Sequence, residues 1–141
     1  MQLESEANHF WQNDPHRITT DEKVWGTERI ICREPHACKI MTLFPGQQVS
    51  LHWHANKVET FILTEGHLTV ELVNQNGQRN TMRLTKPYSS ITIKQNTPHT
   101  FYCPDGQEGN TVFVEASTTD YPNDSYRIYP SGPKGKGFID W

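Results

Sequence analysis

No run of apolar residues in this 141-residue chain approaches the roughly 20 needed to cross a bilayer as a helix, so a membrane-spanning segment is not expected. No apolar pattern of helical period is sustained before residue 117, which excludes a helical bundle. There is no long basic block and the formal net charge is −3, which argues against a nucleic-acid partner. Cysteine is scarce, with three residues, an odd number. Met1-Gln2-Leu3-Glu4-Ser5-Glu6-Ala7-Asn8 lacks the charged-then-apolar layout of a signal peptide, so free thiols and a cytoplasmic location are expected. Cys32 and Cys38 are six apart, which is not a metal-knuckle spacing. Apolar residues are themselves few, at 34% with a mean hydropathy of −0.73, yet aromatics reach 11%, which speaks against disorder. A barrel reconciles the two, because each strand gives alternate residues to solvent or to a polar interior.

What the chain does have is strand-like text. Residues 24–31, 37–44, 49–54, 58–64, 67–73, 78–84, 89–93, 98–102 and 111–116 are short β-prone runs. Pro45-Gly46, Glu65-Gly66, Asn76-Gly77 and Asp105-Gly106 punctuate them, and Asn76-Gly77 predicts a two-residue hairpin. About nine strands at short spacing predict an all-β sandwich or barrel. The expected organisation is an N-terminal arm over 1–23, a barrel over 24–130 and a tail over 131–141. Phe10 and Trp11 are possible anchors of the arm onto the barrel or a neighbouring subunit.

The densest chemistry lies in Gly46-Gln-Gln-Val-Ser-Leu-His52-Trp-His54-Ala-Asn-Lys-Val-Glu59, with Gly66 seven residues on. On an extended segment, side chains two apart share a face, so His52 and His54 project together. Past a bend at Ala55-Asn56, Glu59 can return to that face as the next strand starts. Imidazole nitrogen with carboxylate oxygen is the donor set that a divalent transition metal prefers (Mn, Fe, Zn, Co or Ni). If His52 and His54 face inward, so does Ser50, while Leu51 and Trp53 point out; Glu59, Phe61 and Leu63 share one face, and His99, Phe101 and Cys103 another. An outward Trp53 is expected to pack on another sheet or subunit.

The spacing G-x5-H-x-H-x4-E-x6-G resembles the first motif of the cupin superfamily. The resemblance implies a single-domain double-stranded β-helix, a jelly-roll barrel holding one divalent metal. It also implies a fourth ligand from a second motif, G-x5-P-x-G-x2-H-x3-N. Here that motif is eroded: Tyr88, Lys94, Asn96 and Cys103 stand at its Gly, Pro, Gly and Asn positions, and His99 alone remains. Asn96 is a plausible substitute for glycine, because Asn tolerates left-handed backbone angles. Further on, Glu115-Ala-Ser117-Thr118 and Asp124-Ser-Tyr-Arg127 are similar to a signature of sugar-directed cupins, including lyxose isomerases and mannose-6-phosphate-isomerase-like proteins. Trp25-Gly26-Thr-Glu28, Lys39 and His54-x-x-Lys57-x-Glu59 are similar to the same group. A turn-capping network around Glu115, Ser117 and Arg127 is the structural alternative.

The leading functional expectation is a metal-dependent aldose–ketose isomerase acting on a small sugar or sugar phosphate. His52, His54, Glu59 and His99 would hold the metal, and Lys57 or Glu115 would serve as the proton-moving base. If the substrate is phosphorylated, Lys39 or Arg127 would hold the anion by charge-assisted bonds. An Fe(II) dioxygenase and a non-catalytic barrel that binds metal and sugar are the alternatives. The aromatic arm, an outward Trp53 and the sheet edges together favour a homodimer.

Overall fold

Alternation decides the architecture. Along His36–Leu43 every second residue is buried (Ala37, Lys39, Met41, Leu43), and Glu59–Glu65 repeats the pattern with Glu59, Phe61 and Leu63. Such period-two burial is what a strand with one face on a core requires. The structure is a computed structural model that describes residues 2–4 and 11–134. Its strands are β1 (Gln2–Glu4), β2 (Trp11–Asn13), β3 (Thr19–Lys23), β4 (Gly26–Cys32), β5 (His36–Leu43), β6 (Gln47–Gln48), β7 (Leu51–Trp53), β8 (Glu59–Glu65), β9 (Leu68–Val73), β10 (Arg79–Leu84), β11 (Ser90–Ile93), β12 (His99–Tyr102), β13 (Thr111–Thr118), β14 (Tyr126–Tyr129) and β15 (Gly132–Pro133). Among the described residues there is no α-helix, only a 3-10 turn at Pro15–Arg17.

A six-stranded sheet runs β11-β8-β13-β5-β4-β3, and a seven-stranded sheet runs β10-β9-β12-β6-β15, with β7 paired to β12 and β14. Every pairing is antiparallel. The core lies between the sheets. Met41, Leu43, Phe61, Leu63 and Phe113 come from the first and Leu68, Val70, Leu84 and Phe101 from the second, with Cys103 just past β12. This is the all-β jelly roll that the strand pattern and the first motif implied.

The structure amends several local expectations. Thr19–Lys23 adds an outer strand before residue 24; its residues are polar and largely exposed, so no apolar alternation announced it. The 49–54 run holds only β7 at Leu51–Trp53, with β6 lying before it at Gln47–Gln48; between the two, the Ser50 N–H donates to Ser131 Oγ at 2.9 Å. The β9–β10 connection is a three-residue loop and not the expected two-residue turn. Asn74 and Gln78 close it, Gly77 takes φ 76°, and Asn74 Oδ1 accepts from the Asn76 and Gln78 N–H groups at 2.9 and 3.0 Å. Trp53 stacks on Tyr126 at 4.2 Å and 17°, so within the chain its partner is the neighbouring strand β14 of the same sheet and not another sheet. Phe10 and residues 135–141 lie outside the described residues, and Trp11 starts β2.

Two positions of the eroded motif keep its backbone. Tyr88 and Asn96 stand where glycines were expected, with φ of 72° and 59°. At Gly26 the requirement is steric: with φ 152°, a Cβ there would sit 1.8 Å from the Thr42 carbonyl oxygen.

Phe61 anchors the core. It is fully buried, with ring centroids 4.8 Å from Phe113 and 5.0 Å from Phe101. Phe61→Ala is expected to destabilise the fold by about 3–5 kcal/mol, read from denaturant unfolding with an unchanged m-value. A loss below about 1 kcal/mol would show that this ring is not central to the packing.

Candidate metal centre

His52 from β7, His54 just beyond it and His99 from β12 meet inside the barrel, all buried. Pairing of His99 with His52 across β12 and β7 brings them opposite each other. The ring centroids of His52 lie 4.6 Å from His99 and 5.0 Å from His54, and one ligating nitrogen from each residue falls within 4.8 Å of the others. Backbone carbonyls behind the rings fix which nitrogens these are. Nδ1 of His52 lies 2.8 Å from the Ser50 carbonyl, Nδ1 of His54 2.6 Å from the Asp124 carbonyl, and Nδ1 of His99 2.8 Å from the Thr97 carbonyl. A carbonyl only accepts, so each Nδ1 carries the proton and each Nε2 presents a lone pair inward. Burial, then the neighbouring imidazoles His99 and His54, push the His52 pKa down to about 3, which favours the neutral, ligating form. Burial likewise lowers His54.

Glu59 begins β8 on the same point. Its Oε1 lies 2.7 Å from His99 Nε2 and 3.7 Å from His54 Nε2. Yet Glu59 Oε1 and His99 Nε2 are both buried without a hydrogen bond of acceptable geometry. Two lone-pair atoms held that close repel unless a proton or a cation lies between them. Three neutral imidazoles and one carboxylate fit a divalent transition ion in both donor type and count.

The centre forms part of the wall of a cavity of about 360 Å³. Next to it lies a buried ionic network. Lys57 Nζ is 3.3 Å from Glu59 Oε2, Glu115 Oε2 and Asp120 Oδ1 alike. Lys39 Nζ is 2.7 Å from Glu28 Oε1 and 2.8 Å from Asp120 Oδ2. Burial disfavours the Lys57 charge, but Glu115, Glu59 and Asp120 more than offset it, so its pKa is raised. Burial, and then the Glu59 charge, push the Glu115 carboxyl up to about 7, against the pull of Lys57 and Lys39.

All eight residues singled out from the sequence therefore line or adjoin one cavity: His52, His54, Glu59, His99, Lys57, Glu115, Lys39 and Arg127. Lys57 is not a surface charge, and Lys39 is committed to carboxylates instead of being free for an anion. Three partners escaped sequence reasoning. Glu28 and Asp120 neutralise the lysines; no local spacing links them, and the only signal for Glu28 was its place in Trp25-Gly26-Thr-Glu28. Asp124 accepts from the Ala55 and Asn56 N–H groups at 2.8 and 3.0 Å, and its carbonyl orients His54. The only signal was its place in Asp124-Ser-Tyr-Arg127.

Protein prepared without chelator is expected to carry about one divalent ion per chain by elemental analysis. His52→Ala should empty the site and Cys103→Ala should not. Asp124→Ala, acting through the ligand loop, is expected to weaken metal affinity about 10- to 100-fold in a chelator competition. Full metal retention in His52→Ala would remove the assignment.

Comparison with known proteins agrees with this fold. No curated protein matches in sequence. Similar solved structures include oxalate decarboxylase from Bacillus subtilis, 17% identical with a TM-score of 0.70 over 80% of this chain and 30% of that one. Lactobacillus farciminis oxalate decarboxylase in its formate complex is 17% identical, with a TM-score of 0.67 over 80% and 34%. The capsular polysaccharide assembling protein CapF from Staphylococcus aureus is 15% identical, with a TM-score of 0.65 over 77% and 31%. The chain spans about a third of the length of each, and at these identities the likeness is one of fold. A model described as "Cupin domain" matches residues 39–115, more than half of the chain. With that match, the two-sheet fold and the buried histidine cluster, the chain belongs to the cupin family.

Proposed function

We propose that the protein is a metal-dependent aldose–ketose isomerase acting on a small sugar. The observation that carries this reading is Glu115: a buried carboxyl on the same cavity as the imidazole cluster, joined to Glu59 through one ammonium group. A divalent ion bound by His52, His54, Glu59 and His99 would polarise the sugar carbonyl and acidify the neighbouring C–H. Glu115 then takes the proton from C2 and returns it to C1 while a second proton passes from O2 to O1, so that aldose and ketose interconvert through an enediol. A carboxyl near neutrality suits that shuttle, because it can both lose and regain a proton at working pH. Lys57 stays an ammonium among three carboxylates, which favours a role as hydrogen-bond donor to a substrate oxygen over the role of base. Similarity of Glu115-Ala-Ser117-Thr118 and Asp124-Ser-Tyr-Arg127 to sugar-directed cupins supports the choice of substrate.

Incubating metal-loaded protein with aldoses in heavy water is expected to place deuterium at C2 of the aldose and C1 of the ketose. Glu115→Gln should reduce exchange about a hundred-fold or more while metal content is kept. Glu115 acts as base when ionised, so exchange should rise with pH through its raised pKa, and a bound cation would move that limb toward lower pH. A metal-loaded protein that binds sugars yet exchanges no proton across a broad panel would leave a binding barrel in place of an isomerase.

A further inference from the structure

The charges lining the cavity are not evenly placed. In its depth, Glu28, Glu59, Glu115 and Asp120 outnumber Lys39 and Lys57, and both ammonium groups are bonded to carboxylates. An anion pushed to that depth would meet four carboxylates and no uncommitted ammonium group. The mouth is the reverse. Arg127 on β14 lies directly across from the ligand His52, so its side chain shares that face, and it lines the cavity. Lys23, at the end of β3 in the opposite sheet, lines the same opening. Both are exposed, and among the described residues neither has a carboxylate partner. Two hydroxyls join them. Ser125 lines the mouth, and Ser131 already accepts the Ser50 N–H, leaving its own O–H to donate.

We propose that Arg127 and Lys23 form a phosphate subsite at the mouth of the cavity, which makes the substrate an aldose phosphate with its carbonyl end inward and its ester end outward. This rests on the isomerase reading for the inward end alone. A guanidinium fork, a second point charge and two hydroxyl donors match the oxygens of a phosphate monoester. Arg127 is exposed while its cross-strand partner His52 is buried, so an anion held by Arg127 lies outward of the metal centre. The anion-binding role that the sequence offered to Lys39 passes to Lys23, because Lys39 is held by Glu28 and Asp120.

The test is calorimetric binding to the metal-loaded protein, using ribose 5-phosphate and mannose 6-phosphate against ribose and mannose, with inorganic phosphate as a further probe. The esters are expected to bind at least about tenfold more tightly than the neutral sugars. Arg127→Gln should cut the ester-to-sugar affinity ratio about tenfold, Lys23→Gln should cut it less, and Arg127→Lys should restore part of it. Metal content should stay unchanged in all three, which reports an intact fold. Equal binding of esters and neutral sugars would overturn the subsite. So would an unchanged ratio in the Arg127→Gln, Lys23→Gln double variant. Arg127-dependent ester binding without solvent-proton exchange would keep the subsite and remove the isomerase. Exchange on neutral aldoses, equal to that on their esters and indifferent to Arg127→Gln, would do the opposite.

Discussion

Glu59 keeps a charge inside the barrel, and most of the site follows from that constraint. Its side chain is 2% exposed, where an uncompensated carboxylate would cost several kcal/mol or take up a proton. Burial does push its pKa up, but a proton or cation on the His99 side and the positive charge of Lys57 outweigh this and hold it below the usual carboxylate range. One oxygen faces Lys57 and the other faces the imidazoles. Lys57 in turn is a buried cation, which Glu115 and Asp120 must balance. Asp120 then also meets Lys39, and Lys39 meets Glu28. A single inward carboxylate thus propagates across β4, β5, β8, β13 and the segment after β13, so the six-stranded sheet carries the charge network along its inner face. The seven-stranded sheet carries the imidazoles. The cavity is where the two inner faces meet beyond the aromatic core of Phe61, Phe101 and Phe113.

The chain beyond β13 completes the centre. The Asp124 carboxylate caps the Ala55-Asn56 bend, its carbonyl fixes the His54 tautomer, and β14 pairs with the ligand strand β7. Ligand geometry therefore depends on a segment about seventy residues away in sequence. The same segment presents Arg127 inward, while Tyr126 faces outward against Trp53. One short strand thereby supports the metal ligands on one side and shields an aromatic side chain on the other.

What the sequence made legible is what local period encodes. The H-x-H pair, the return of Glu59 and the parity of Phe61, Leu63, Phe101 and Cys103 all follow from side chains alternating along a strand. The eroded second motif was legible only at His99. Its glycines were replaced by Tyr88 and Asn96, yet the left-handed backbone persists at both, so geometry outlasted residue type. What could not be read are partners set by tertiary approach. Asp120 and Glu28 reach the lysines across the sheet, β3 is a polar edge with no core face to mark it, and Trp53 met a neighbouring strand of its own chain. Chemistry at nearby positions left a trace in spacing; compensation of buried charge did not.

X-ray absorption of protein loaded with Co(II) or Zn(II) tests the central claim most directly, because it reports the donor atoms themselves. Three imidazole nitrogens, identified by outer-shell scattering from the rings, and at least one oxygen at about 2.0–2.2 Å are expected around the metal. In Glu59→Gln the imidazole signal should persist while the oxygen shell changes. A shell with fewer than two imidazoles, or one dominated by sulfur, would contradict it.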